Sequence, residues 1–250
     1  MRQIAIASYN IHSGIGLDRR CSSARIARVL KELECDIYAL QEVDNQPGDH
    51  EESMQLEHFE RVLNMTAVPG LRIVRHTGEY GNAILTRLPV LSVQRHDLSH
   101  SWFEPRGALD VQVELNGQPL RVIATHLGLS RSERGTQWRA LMMALAEAPT
   151  RMPTILLGDM NEWYPRAMTL REAHRAFGQP PAPAAFPSFA PFLALTRIWV
   201  RPRHALLSLD AHRSETARRA SDHLPVRAVI DADRLMIGEE AAGDSQAEAR

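Results

Sequence analysis

Residues 108–125, Ala-Leu-Asp-Val-Gln-Val-Glu-Leu-Asn-Gly-Gln-Pro-Leu-Arg-Val-Ile-Ala-Thr, decide the fold class. Two apolar runs, 108–115 and 120–125, are joined by Asn116-Gly117, a pair that accepts the positive φ of a tight hairpin turn. A doubly wound parallel sheet needs a helix after nearly every strand, so a hairpin in mid-chain argues against it. Upstream, 71–75, 83–86 and 90–95 read as further strands, after 4–9 and 36–41. Downstream come 154–157, 193–200 and 225–230. Ser22 or Ser23 can cap a helix over 24–33, with Ile26, Val29, Leu30 and Leu33 on one face. Charged helical patterns cover 51–63 and 133–146. The mixture predicts an α+β class: a four-layer α/β/β/α sandwich, two mixed sheets face to face with helices outside.

The organisation is that of a single domain over 1–231, followed by an acidic, Ala-rich and flexible tail over 232–250. A Pro/Ala-rich segment, 179–191, reads as a surface loop. Hydrophobic residues make up 44% of the 250 and charged residues 24%, enough apolar surface for a real core and against a disordered chain. No apolar run approaches the roughly 18 residues that span a bilayer, and 4–7 is too short for a signal peptide. Cys21 and Cys35 cannot form a disulfide framework and read as buried thiols of a reducing compartment, so a cytoplasmic monomer without a stable protein partner is expected. The segment from Asp231 onward sets two arginines against six carboxylates, leaving the body mildly basic, short of a dedicated nucleic-acid-binding domain.

Chemistry gathers where the apolar runs stop. Ile-Ala-Ser-Tyr ends in Asn10 with His12 beyond it; Ile-Tyr-Ala-Leu-Gln ends in Glu42. Val-Ile-Ala-Thr ends in His126, and Ile-Leu-Leu-Gly ends in Asp159 with Asn161 beyond. Ser221-Asp222-His223 precedes the last strand. Strand ends let polar side chains converge while a rigid sheet positions them. Amide and carboxylate oxygens are hard ligands suited to Mg²⁺ or Mn²⁺, and histidines can donate to phosphoryl oxygens or move protons. Zinc fits poorly, since His126 and His223 are the only obvious nitrogen ligands and neither sits in a short ligand spacing.

Taken in order, Tyr9-Asn10-Ile11-His12, Gln41-Glu42-Val43-Asp44, Gly81-Asn82-Ala83-Ile84-Leu85-Thr86-Arg87, Thr125-His126-Leu127-Gly128, Gly158-Asp159-Met160-Asn161 and Ser221-Asp222-His223 resemble the endonuclease/exonuclease/phosphatase superfamily, a deoxyribonuclease I-like group. The resemblance runs from Tyr9 to about Val229. It implies the four-layered sandwich and a divalent-metal-dependent phosphoester hydrolase, a phosphodiesterase ahead of a monoesterase, with in-line attack of an activated water. It further implies Glu42 as principal metal ligand with Asn10 beside it and Asp222 near; Asp159, Asn161, His126 and His223 as the catalytic group; and His12, Asn82 and Arg106 facing substrate. Read without it, Asn82 could equally be a turn residue, Arg106 a surface ion pair and His12 a loop histidine.

The chain departs from the pattern in 195–200, where Thr196 stands in place of an Asp that would orient the catalytic histidine. Thr can accept a hydrogen bond but supplies no charge for an imidazolium, so a weakened enzyme, or a phosphate-binding protein that keeps the fold, is the alternative. The substrate could be nucleic acid, met by the arginines at 197, 201, 203, 213, 218 and 219. It could instead be a phospholipid headgroup, reached through an apolar lip built from 187–192, Trp163, Tyr164 and Trp102-Phe103. Those aromatics could also pack under their loops.

Overall fold

The diagnostic hairpin forms as β6 (Gly107–Leu115) and β7 (Gln118–His126), with Asn116 and Gly117 at φ 54° and 76°. The structure is a computed structural model and describes residues 2–46, 53–75, 78–100, 102–146 and 152–237. One sheet of six strands runs in the order β10 (Leu206–Ala211), β11 (Val226–Asp231), β1 (Gln3–Asn10), β2 (Ile37–Asn45), β4 (Gly78–Thr86) and β3 (Thr66–Arg75). The other has five: β5 (Val90–Asp97), β6, β7, β8 (Thr154–Asp159) and β9 (Thr196–Arg201). Both mix parallel and antiparallel pairs, and β1, β2, β3 and β4 contact β6, β7 and β8 across the interface.

Side-chain alternation builds the layers. In β8, Ile155 and Leu157 join the core between the sheets, whereas Leu156 points outward into a second apolar cluster under the helices. That cluster lies beneath α3 (Arg131–Ala146) and α4 (Met168–Phe177) and includes Trp138, Leu170, Phe177 and Trp199. On the opposite outer face sit α1 (Ser23–Leu33), α2 (Gln55–Leu63) and α5 (Glu215–Ala220). Ser22 caps α1 by accepting from the Arg25 N–H, and Ile26, Val29, Leu30 and Leu33 are buried as their spacing predicts. This is the four-layer sandwich of the deoxyribonuclease I-like fold.

Several expectations are corrected. The strand expected over 193–200 begins at Thr196, because Leu193 is tied back to Phe186 in a turn. The helix expected over 51–63 starts at Gln55, with Glu51 outside the described residues. Cys35 is buried but Cys21 is exposed, so the second thiol is no core residue. The boundary at 231 comes too early: α6 (Ala232–Ile237) follows β11 directly and buries Ala232 and Leu235 completely. Residues 238–250 of the expected tail lie outside the described residues. No helix among the described residues is long and apolar enough to cross a membrane.

Candidate active site

Two parallel pairs, β1 with β2 and β7 with β8, send their carboxyl ends to one edge of the sandwich. Asn10 closes β1, and His126 and Asp159 are register partners at the ends of β7 and β8. Gly158 makes that last pairing possible: its φ is 148°, and a Cβ there would collide with the Thr125 carbonyl oxygen. Glu42 stands inside β2 at φ 59°, where the ladder to β4 breaks register between Leu40 and Val43. Asn161 and His12 also take positive φ, 49° each. Three non-glycine residues in a disfavoured conformation at one edge mark backbone held against its own preference.

Asp159 is the hub. Asn10 Nδ2 donates to Asp159 Oδ2 at 3.1 Å and to Glu42 Oε1 at 2.8 Å, bridging the two carboxylates. His223 Nε2 and His126 Nε2 lie 3.6 and 3.8 Å from Asp159 Oδ2, and the Asn161 backbone N–H donates to Asp159 Oδ1 at 3.0 Å. Burial pushes the Asp159 carboxyl up, but His223, His126 and the donated hydrogen bonds outweigh it, so it ionises more readily than an ordinary Asp. Burial takes His126 down to about 4, with Asp159 opposing and the Arg106 guanidinium assisting.

Both ring nitrogens of His126 face donors. Arg106 Nη1 lies 2.8 Å from His126 Nδ1, and a guanidinium only donates, so Nδ1 accepts. The charged Arg106 donor favours the neutral ring with its proton on Nε2, against the Asn161 amide donor beside that nitrogen. Asn161 Nδ2 is 3.1 Å from that nitrogen and donates to the Leu127 carbonyl at 2.7 Å. Two neighbouring N–H groups cannot satisfy each other; they suit a common acceptor such as a phosphoryl oxygen.

The remaining predicted residues divide between the two sides of this hub. Arg106 and Asn82 line a cavity of about 150 Å³ together with Glu42, Tyr80, Glu104 and His126. Asn82 donates to the Gly107 carbonyl at 3.1 Å, which settles its orientation toward the hairpin. Arg106 also meets Glu104 at 3.5 Å. Asp222 lies on the other side, 3.8 Å from His12 Nδ1, while the His12 backbone N–H donates to Asn10 Oδ1. Among the described residues no three His, Cys, Asp or Glu converge as a metal-ligand set. Glu42 supplies carboxylate oxygen of the kind a hard divalent cation takes, whereas Asn10 turns its amide N–H toward Glu42 and its Oδ1 toward the His12 N–H.

Some participants escaped sequence reasoning. Tyr80 is buried, and burial and then the Glu42 and Glu104 carboxylates raise its phenol. Ser221 donates to the Asn10 carbonyl at 2.8 Å and accepts from the His223 N–H, clamping the last motif onto β1. Ser188 reaches the same motif from the Pro/Ala-rich loop: its N–H donates to the Asp222 carbonyl and its hydroxyl to that of Ser221, both at 2.7 Å. The Phe186 ring centroid is 4.7 Å from that of His223. The proposed arginine strip is not continuous, because Arg197 is partly buried and Arg201 lies 5.4 Å over the Phe177 ring.

A family model described as "Endonuclease/Exonuclease/phosphatase family" matches residues 7–223. The uncharacterized protein YbhP of Escherichia coli K12 is 29% identical over 243 residues, covering 90% of this chain and 95% of its own. Among solved structures, an endonuclease/exonuclease/phosphatase from Beutenbergia cavernae aligns with TM-score 0.71 at 20% identity, covering 92% of this chain and 72% of that one. The mannosyl-6-phosphatase Bt3783 of Bacteroides thetaiotaomicron aligns at 0.68 and 17%, covering 91% and 99%. TDP2 of D. rerio, solved with a single-strand DNA product, aligns at 0.66 and 19%, covering 92% and 99%. At these identities the structural matches speak for the fold alone.

Proposed function

The chain belongs to the endonuclease/exonuclease/phosphatase family, and from that premise we propose that it is a divalent-metal-dependent phosphoester hydrolase acting on a phosphodiester. The observation that carries this reading is the single Asn10 amide bridging Glu42 and Asp159, with His126 and His223 on the same Asp159 oxygen. It gathers into one site carboxylates that stand far apart in the chain.

Glu42, with Asn10 beside it and Asp222 near, would hold Mg²⁺ or Mn²⁺. A cation bound there would polarise a phosphoryl oxygen and offset the charge that develops on it. Asp159, held ionised, orients the attacking water rather than storing its proton. His223, beside that carboxylate, takes the proton or stabilises the charge. The Nε2–H of His126 and the Asn161 amide bind a non-bridging oxygen, and they are already oriented before substrate arrives.

A diester is favoured over a monoester by the charge of the cavity. Arg106 there faces Glu42, Asp97 and Glu104, an environment better suited to a singly charged phosphate with a second organic arm than to a dianion. The test is a metal screen on bis-p-nitrophenyl phosphate and p-nitrophenyl phosphate, with Glu42→Ala and His223→Ala as controls. Metal-stimulated cleavage of the diester, lost in both variants, is the expected result. No hydrolysis of either compound with Mg²⁺ or Mn²⁺ would overturn the reading in favour of a phosphate-binding protein.

A further inference from the structure

Six of the eleven exposed large apolar side chains among the described residues lie on loops that leave the catalytic strand ends; Met143, at 73%, and Leu91, at 50%, are among the five elsewhere. Trp102 is 89% exposed, Leu129 76%, Phe192 72%, Phe189 65%, Trp163 61% and Tyr164 45%. Each belongs to a loop tied to the site by a contact already described or by sequence adjacency. Trp163 and Tyr164 follow Asn161, and Leu129 follows Leu127, whose carbonyl accepts from Asn161. Phe189 follows Ser188, which is bonded to both Ser221 and Asp222. Trp102 lies in the β5–β6 loop whose Ser99, Glu104 and Pro105 line the cavity with His126.

These side chains are not exposed because their loops are loose. Arg134, buried in α3, donates to the Leu129 carbonyl and to Glu162, and Glu162 accepts from the Tyr164 N–H at 3.1 Å. Gln137 accepts from the Gly128 N–H at 2.7 Å. The turn carrying Phe189 and Phe192 is closed by Phe186–Leu193 backbone bonds and by Ser188. The α3 helix thus spends buried polar groups on holding two loops whose apolar side chains still face water. A monomer in water gains nothing from that arrangement.

We infer that this ring docks the catalytic edge onto an anionic phospholipid membrane surface, bringing a lipid headgroup phosphoester to Asp159. The inference rests on the hydrolase reading and names its substrate class. Composition selects a lipid interface over other occupants. Trp and Tyr favour the headgroup region, where an apolar ring and a polar tip are both satisfied. Exposed arginines are interleaved on the same or adjoining loops: Arg131 beyond Leu129, Arg166 beyond Tyr164, and Arg213, which donates to the Ala184 carbonyl of the Phe189 loop. They complement anionic headgroups. The stretch 178–195 contains no charged residue, so it offers a nucleic-acid backbone nothing but suits insertion among acyl chains.

The test uses the full chain and needs no turnover. Two of the four tryptophans, Trp102 and Trp163, are on the ring, while Trp138 and Trp199 are buried at 1% and 0%. Added vesicles of phosphatidylcholine and phosphatidylglycerol in equal parts should shift tryptophan emission to the blue and co-sediment the protein, more weakly in high salt. The Trp102→Phe/Trp163→Phe variant should still sediment but lose the shift. The Trp163→Ala/Phe189→Ala/Phe192→Ala variant should bind at least tenfold more weakly, its circular dichroism confirming the fold. Glu42→Ala should bind vesicles like the wild type, which keeps docking separate from hydrolysis. An active diesterase that ignores vesicles, vesicle binding indifferent to the triple substitution, or ring-dependent binding of a dT oligonucleotide without vesicle binding would each overturn the inference.

Discussion

Thr196 is the antiparallel partner of Asp159 across the β8–β9 ladder. Among the described residues its buried hydroxyl has no hydrogen-bond partner, and neither has the buried Nδ1 of His223, whose other ring nitrogen lies 3.6 Å from that same Asp159. Buried polar atoms left unsatisfied are costly.

Thr196→Asp should therefore raise kcat, on the order of tenfold, or about 1.4 kcal/mol in the barrier. The added carboxylate stabilises the imidazolium of His223, so the acidic limb of the pH–rate profile should move to higher pH. A profile and rate superimposable on those of the wild type would show that Thr196 has no bearing on His223.

Glu42 couples function to backbone strain. At φ 59° an L side chain is disfavoured by about 1 kcal/mol or more, a penalty glycine escapes. Glu42→Gly should thus unfold at higher denaturant than Glu42→Ala, by about 1 kcal/mol. Both variants should lose Mg²⁺-stimulated hydrolysis by at least about a hundredfold. Equal stability of the two would mean that φ relaxes without Glu42, so that the side chain's own partners hold the strain.

Arg106 acts through His126. Without a donor at Nδ1 the ring can adopt the other tautomer, and its Nε2 then offers a lone pair instead of an N–H to the phosphoryl oxygen. Arg106→Leu should lower kcat by about ten- to a hundredfold. Removing a cation that depresses His126 should also raise the pH at which its ring takes up a proton, read by NMR. Arg106→Lys, which keeps the charge, should restore that ring titration better than the rate, because the planar fork that reaches Nδ1 is lost. A change confined to KM would place Arg106 in substrate binding alone.

What could be read from the chain depended on how local the signal was. The Asn116-Gly117 hairpin and the Ser22 cap are each contained within a few positions, and the structure places them as read, whereas Glu42, read as ending its strand, stands inside β2. β10 was missed because it is an edge strand whose Ser208 and Asp210 face solvent, and α4 because charged neighbours obscure the spacing of Leu170, Ala173 and Phe177. The register break that points Glu42 into the site is invisible in one dimension. So are Tyr80, Ser188 and Ser221, whose roles come from contacts across the fold. The low amphipathicity of α3 has the same origin: Glu133, Arg134 and Gln137 are buried to tether loops, so its inward face is polar.

The burial of His126 also predicts a pH dependence of stability. Its folded value, about 4, lies below the 6.5 of an exposed imidazole, so below pH 6.5 the unfolded chain takes up a proton that the folded chain refuses. Stability is full above pH 6.5 and falls as pH drops toward 4, where the folded protein protonates too. A shift of this size corresponds to about 3 kcal/mol across the window. His126→Gln removes the titrating group while keeping an amide near Arg106, so its unfolding free energy should vary less between pH 6.5 and 4.5 than that of the wild type. Asp159 titrates below this range and leaves it undisturbed. Parallel stability curves for the two proteins in urea, pH by pH, would mean that another group governs the acid side and that His126 is protonated in the folded state well above pH 4.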